Sequence, residues 1–307
     1  MRADDEPAIL AALLESHERG ELEGVNRQQL VESVERVGAE PWLGAVAEDE
    51  GRLAGWVVPR HDDLGVDLPF RRRGHGRRLV EAGRVLAAHL GYPELRLWVP
   101  HRPGAQAFAE AVGLRYHSSL WLMRLDEAAT PPPPAFPDDL VVRWLEPGTD
   151  EPAFVELVNE IFLDHPSPLH VELGEVRRAH ARQGFDPSTI LLVSPASDRE
   201  RLVAFCRVAT STEDDGALAG EVKLVGVRRE ARARGLGRQL VRWGVDALRQ
   251  RGVARTFLSV EGENEGALRM YEDEGFRREV EWPHWAAPPL AAPHGVNPID
   301  RQNAPAS

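Results

Sequence analysis

Twelve residues of the first half of this chain recur in the second half at one constant offset. Val66, Arg71, Arg73, Gly74, Gly76, Arg77, Leu79, Val80, Gly83, Gly91, Leu97 and Val99 reappear 161 positions later as Val227, Arg232, Arg234, Gly235, Gly237, Arg238, Leu240, Val241, Gly244, Gly252, Leu258 and Val260. The register holds through a strand-like run, an arginine-glycine loop, a helix-like run and the next strand. Such a chain folds as two copies of one unit, not around a single core. Its length agrees, since 307 residues divide naturally into two domains of roughly 150.

The division falls at the proline-rich run DEAATPPPPAFPD, residues 126–138, which reads as an extended, semi-rigid spacer. The expected organisation is an N-terminal domain over 1–125, a linker over 126–138, a second domain over 139–285 and a disordered tail over 286–307, which is rich in Pro, Ala and Asn. Within the second half, periodicity predicts a strand at Val141–Leu145, helices at Pro152–Leu163 and Glu172–Arg182, and strands at Thr189–Ser194, Arg201–Thr210 and Glu221–Val227. A loop over Arg228–Gly235, a helix over Leu236–Arg251, a strand at Thr256–Val260, a short helix over Asn264–Glu274 and a final strand pair complete it. The class is mixed α/β, with a mixed sheet in each half.

Composition narrows the functions. A net charge of −12 argues against nucleic acid as a partner, and no run approaches the ~18 apolar residues that span a bilayer. The acidic start MRADDEPAIL is unlike a secretory signal, so a cytoplasmic protein is expected. Cys206 is the only cysteine, which leaves no internal disulfide and no thiolate metal cluster. His61, Asp62, Asp63 and His165 lack partners at ligand spacing, and no metal is expected.

Strand, arginine-glycine loop and helix together form a phosphate-binding arrangement, because glycine lets a ligand approach the backbone and the helix start offers unpaired amides. Arg232-Ala233-Arg234-Gly235-Leu236-Gly237 and Arg71-Arg72-Arg73-Gly74-His75-Gly76 both fit it. There is no dinucleotide fingerprint, and the sole lysine, Lys223, precedes the glycines, so the nucleotide-triphosphate loop is absent too.

The loop resembles the acetyl-CoA loop [QR]-x-x-G-x-[GA] of the Gcn5-related N-acetyltransferases. The segment Asn264-x-x-Ala267-x-x-x-Tyr271-x-x-x-Gly275-Phe276 is similar to a second signature of that family. The resemblance covers both halves and implies two tandem acyl-CoA N-acyltransferase folds with acetyl-CoA as co-substrate. Carried over, Val225, Gly226 and Val227 would line the pantetheine, and Arg232, Ala233, Arg234, Gly235, Leu236, Gly237 and Arg238 the pyrophosphate, with Asn264 nearby. It implies Glu221, fourteen residues before Gly235, as general base and Tyr271 as the acid for the leaving thiolate. Strict alternation would put Glu221 on one face with Lys223, Val225 and Val227.

The N-terminal copy keeps Arg71, Arg73, Gly74 and Gly76, which implies a CoA site there as well. Arg60 stands fourteen residues before Gly74 and Ala109 four before Gly113, so that copy lacks both base and acid. It is expected to hold CoA without turnover. The acceptor is expected to be a small-molecule primary amine. Tandem family members that acetylate the cysteinyl amine of a glucosaminyl-inositol conjugate share this architecture and a Phe162-Leu-Asp-His165-Pro166 stretch, which makes that conjugate an alternative. This chain departs from them in Ser167 after Pro166 and in having no lysine on 201–210. A non-catalytic acyl-CoA sensor is the remaining reading, against which Tyr271 argues. One chain already supplies two copies of the fold, so a monomer or weak dimer is expected.

Overall fold

Both copies of the repeat form strand, loop and helix in the computed structural model, which describes residues 5–19, 27, 44–163 and 169–291. The chain makes two units, Met1–Leu120 with Val280–Ser307, and Trp121–Glu279.

In the first unit, α1 (Glu6–Glu18) lays Ile9, Ala12 and Leu13 on Trp56 and Val58. The antiparallel strands β1 (Ala45–Asp49), β2 (Arg52–Val58) and β3 (Asp63–Val66) follow. Glu50 and Gly51 turn the first hairpin with φ of 54° and 72°, the left-handed pair that matches strand twist. Next come α2 (His75–His89), β4 (Leu95–Trp98), α3 (Pro103–Ala111) and β5 (Arg115–Leu125), whose residues from Trp121 on belong to the second unit. α2 buries Leu79, Val80, Leu86 and Ala87 on one stripe. A Cβ on Gly83 would stand 3.0 Å from Val57 and 3.1 Å from Leu95, so glycine sets how closely this helix meets the strands.

The second unit holds β6 (Leu140–Trp144), α4 (Glu151–Phe162), α5 (Leu173–His180), β7 (Ile190–Pro195), β8 (Ala204–Thr212) and β9 (Leu218–Val227). After these come α6 (Leu236–Gln250), β10 (Arg255–Glu261), α7 (Glu265–Asp273) and β11 (Phe276–Ala287). The strands run in the order β6-β7-β8-β9-β10, with β9–β10 parallel and the rest antiparallel. On one face α4 packs Phe154, Leu157, Val158 and Phe162 against Ile190, Leu192 and Phe205. On the other, α6 packs Leu240, Val241, Val245 and Leu248 against Cys206, Val208 and Val222. A Cβ on Gly244, the counterpart of Gly83, would stand 3.1–3.3 Å from Val222 and Cys206.

Three sequence expectations change. The final strand pair is one 12-residue strand, β11, whose end pairs with β4 through His284↔Trp98 to Ala287↔Leu95. Residues 280–285, assigned by sequence to the second half, thus belong to the first unit. The expected tail does not begin at residue 286: Ala286 and Ala287 are buried in β11, and Pro288 and Leu290 bond Arg84. Composition misled here because two alanines can carry a ladder without large side chains. Residues 292–307 lie outside the described residues. The proline-rich segment is held against the second unit and is not a free spacer. Asp126 N donates to Gly275 O, Ala135 N donates to Gln239 Oε1, and Phe136 packs on the α6 core.

Candidate functional site

β9 is paired along most of its length with β8 but only briefly with β10. The parallel ladder consists of Ala219↔Arg255, Gly220↔Thr256 and Glu221↔Phe257, whereas pairing with β8 continues to Val227↔Ala204. The parallel strands therefore part at Glu221. Beyond it, one backbone edge of Val222–Val227 faces the gap, and an open edge of this kind can pair with the amides of an extended ligand.

The strand carries a bulge at this point. Arg207 lies opposite Leu224 and Val208 opposite Val222, which leaves Lys223 as the inserted residue. An inserted residue resets the alternation of faces. Val222, Val225 and Val227 pack on the α6 side, while Leu224 and Gly226 face the α4 side with Phe205. Glu221, paired across with Ala209, shares that α4-side face. The expectation that Glu221 sides with Val225 and Val227 is corrected, because period-two counting does not survive the bulge. Its pairing with Lys223 holds: Nζ lies 3.0 Å from Glu221 Oε2.

Tyr271 stands on α7 and packs with Val225 and Val227 on the α6-side core, its ring edge-to-face with Phe276 at 6.1 Å. Burial, with a smaller effect from Cys206, pushes its hydroxyl up to about 12, so it keeps its proton at neutral pH. Glu221 and Tyr271 thus occupy opposite faces of the sheet. Cys206 is fully buried and its thiol is pushed up by burial, which suits a packing role.

The loop after β9 turns through Arg229–Ala231, and Ala233 and Gly235 adopt φ of 61° and 75°. Gly235 caps α6 without a side-chain hydrogen bond, and the first helical bond from this end is Gln239 N to Gly235 O. The amides of Leu236, Gly237 and Arg238 are the orphan donors of the helix start, a ready anion site. A Cβ on Gly235 or Gly237 would meet nothing within 4 Å, so the space above the cradle is open.

The arginines are more committed than the sequence suggested. Arg232 Nε donates to Val227 O at 3.1 Å, and Arg234 reaches both oxygens of Asp139 at 2.7 Å. Arg238 bonds Glu274 at 2.7 Å and Asp273 at 2.9 Å, and Arg242 grips both Glu274 oxygens. Burial would raise the Glu274 carboxyl, but Arg242 and Arg238 outweigh it and hold it below the ordinary range. Asn264 caps α7 by accepting from Ala267 N at 3.1 Å. The backbone amides at the helix start have no partner within the helix, while the side chains of Arg232, Arg234 and Arg238 are each engaged by a carbonyl or a carboxylate.

The first unit repeats the loop closely. Arg72 and Gly74 take φ of 66° and 88°, and Arg71 Nε donates to Val66 O at 3.0 Å, each 161 positions before its counterpart. Arg73 and His75 both contact Asp49. The difference is above the loop. A Cβ on Gly76 would stand 2.9 Å from the ring tip of Phe108, which fills the space left open over Gly237. Asp63, the first residue of β3, accepts from Trp56 Nε1 at 2.8 Å, and burial pushes its carboxyl up.

Two residues escaped the sequence reading. Phe108 carries no polar signal. Arg207 had one, a charge between the buried residues Cys206 and Val208. Trp285 packs in the core of the first unit, and Trp282 lies edge-on to Trp98. Among the described residues no set of three His, Cys, Asp or Glu is placed to hold a metal, and no helix is long and apolar enough to cross a membrane. His165 and 164–166 lie outside the described residues.

The family model described as acetyltransferase (GNAT) family matches residues 9–114 and again 154–276. The mycothiol acetyltransferase of Thermobispora bispora is 33% identical over 284 residues, covering 89% of this chain and 93% of the relative. That of Rhodococcus jostii is 33% identical over 283 residues, covering 88% and 91%. In fold, the chain is similar to a GCN5-related N-acetyltransferase from Sphaerobacter thermophilus, with TM-score 0.66, 21% identity and coverage of 95% and 96%. A tandem GNAT protein from the clavulanic acid biosynthesis pathway gives TM-score 0.66 and 21% identity, with coverage of 95% and 98%.

Proposed function

The chain belongs to the acetyltransferase (GNAT) family, and we propose that its second unit transfers an acetyl group from acetyl-CoA to the primary amine of a small molecule. The observation that carries this reading is the parting of β9 and β10 at Glu221, directly before the open glycine cradle.

The residues fit the co-substrate. The amides of Leu236, Gly237 and Arg238 would hold the pyrophosphate, and the open edge of Val225, Gly226 and Val227 would pair with the pantetheine. Acetyl-CoA supplies the activated thioester. Glu221, at the point of separation and half-buried beside Lys223, takes the proton from the acceptor's ammonium, directly or through a water. Tyr271 keeps its hydroxyl proton at neutral pH and gives it to the departing thiolate. A backbone amide near Val225 supports the oxyanion. The first unit has Arg60 and Ala109 at the corresponding positions and performs no chemistry in this reading.

The full-length likeness to mycothiol acetyltransferases favours a cysteinyl amine on a glucosaminyl-inositol conjugate as the acceptor. The test is CoA-thiol release from acetyl-CoA with that conjugate, amino sugars, aminoglycosides and polyamines in parallel. Release with the conjugate well above the others supports both parts of the reading. Release with another amine overturns the acceptor alone, and release with none overturns the enzyme.

A further inference from the structure

Arg207 sits in the middle of β8, where a charged residue needs a reason. Its neighbours along the strand, Phe205 and Cys206 on one side and Val208 on the other, are almost wholly buried. Its own side chain is half-buried, and the register places it opposite Leu224, between Phe205 and Ala209 on the face that carries Glu221. Burial works against its charge, and the attraction of Glu221 offsets part of that cost. The carboxylate is already engaged, because Lys223 Nζ holds Glu221 Oε2 at 3.0 Å. Among the described residues no hydrogen bond to the Arg207 guanidinium is present.

A partly desolvated guanidinium carries five donors in a rigid fork, and buried polar groups are as a rule hydrogen-bonded. Its position beside the base, on the side of the sheet away from Tyr271, is where an acceptor amine must lie to meet Glu221. Lys223 contacts the Glu221 carboxylate and Arg207 lies within its electrostatic reach, so two cations attend the base although the chain is acidic overall. A bare polycation fits such surroundings poorly. An amine with oxygen atoms close to it fits well, the oxygen taking the guanidinium while the nitrogen faces the carboxylate.

Resting on the acetyltransferase reading, we infer that Arg207 is an acceptor-orienting residue, which binds a carbonyl, carboxylate or hydroxyl oxygen of the substrate next to the amine that Glu221 deprotonates. Arginine suits this because its fork fixes direction as well as charge.

The test compares wild type, Arg207→Lys and Arg207→Met on paired amines that differ only in a neighbouring oxygen, such as a simple alkylamine and the matching α-amino amide. Wild type should prefer the oxygen-bearing member. Arg207→Met should lose about 10- to 100-fold in kcat/KM for that member, mostly through KM, and little for the plain amine. Arg207→Lys should recover part of the preference, and guanidinium ion added to Arg207→Met should recover some turnover. CoA affinity, measured by calorimetry on each variant, should not change. An unchanged preference in Arg207→Met overturns the inference, as does a parallel loss of CoA affinity, which would mark a purely structural role. Wild type that binds CoA but acetylates no amine overturns the acetyltransferase reading instead.

Discussion

Replacing Phe108 by Ala should open a second CoA groove in this chain. The loops at Gly74 and Gly235 share their turn, their left-handed residues and the arginine bond to the preceding strand. They differ at the second glycine: the Phe108 ring lies 2.9 and 3.1 Å from the point where a Gly76 Cβ would be, whereas Gly237 has open space there, and Gly74 is as open as Gly235. Truncating a fully buried Phe costs about 3–5 kcal/mol, and Phe108 is partly buried, so ~2 kcal/mol is expected. For a unit of this size that lowers the melting temperature by roughly 4–8 °C and leaves it folded. The intact loop alone would lead one to expect CoA in both units; with Phe108 beside Gly76, the wild type should instead saturate at one CoA per chain in titration calorimetry, and Phe108→Ala at two, the second weaker. A wild type that takes two equivalents, or a folded Phe108→Ala that still takes one, would show that Phe108 does not block the first loop.

Gly237→Leu makes the reverse change: its side chain would enter open space, so stability should hold or rise by up to ~1 kcal/mol while CoA affinity falls at least about tenfold, read by calorimetry and thermal melts together. Glu274→Gln removes the carboxylate gripped by Arg238 and Arg242 at a site only 2% exposed and should cost about 3–5 kcal/mol in chemical denaturation. Because the folded state holds the Glu274 carboxyl below its ordinary value of 4.5, its stabilisation is complete above that pH and is lost as pH falls further. The difference between wild type and Glu274→Gln should therefore narrow in acid, and a constant difference would count against the ion pairs. Tyr271, with its hydroxyl at about 12 rather than 10, should impose no loss of kcat up to roughly pH 10.

The duplication, the class of fold, the two glycine loops and the core stripe of α6 were readable in the sequence because each rests on local pattern. A constant offset, a glycine needing positive φ and an apolar period of 3.6 all lie within a few turns of chain. What escaped depended on partners far apart in sequence. The bulge at Lys223 is a mismatch between β8 and β9, and no count along β9 alone reveals it. Phe108 over Gly76 joins residues 32 apart in the chain. The pairing of Ala286 with Arg96 and of Ala287 with Leu95 joins residues 190 and 192 apart and left no mark in a run that composition placed in a tail. The ion pairs of Arg234 with Asp139 and of Arg238 with Glu274 likewise join residues far apart in sequence, so the loop pattern alone shows nothing of these partners.

In the proposed function, acetyl transfer occurs where β9 and β10 part, with Glu221 and Tyr271 on its two sides. The direct measurement is acetyl-CoA-dependent product formation by wild type, Glu221→Gln and Tyr271→Phe, alongside CoA affinity for each. Both variants should bind CoA as wild type does and lose about a hundredfold or more in kcat. Rates equal to wild type in either variant would contradict the claim.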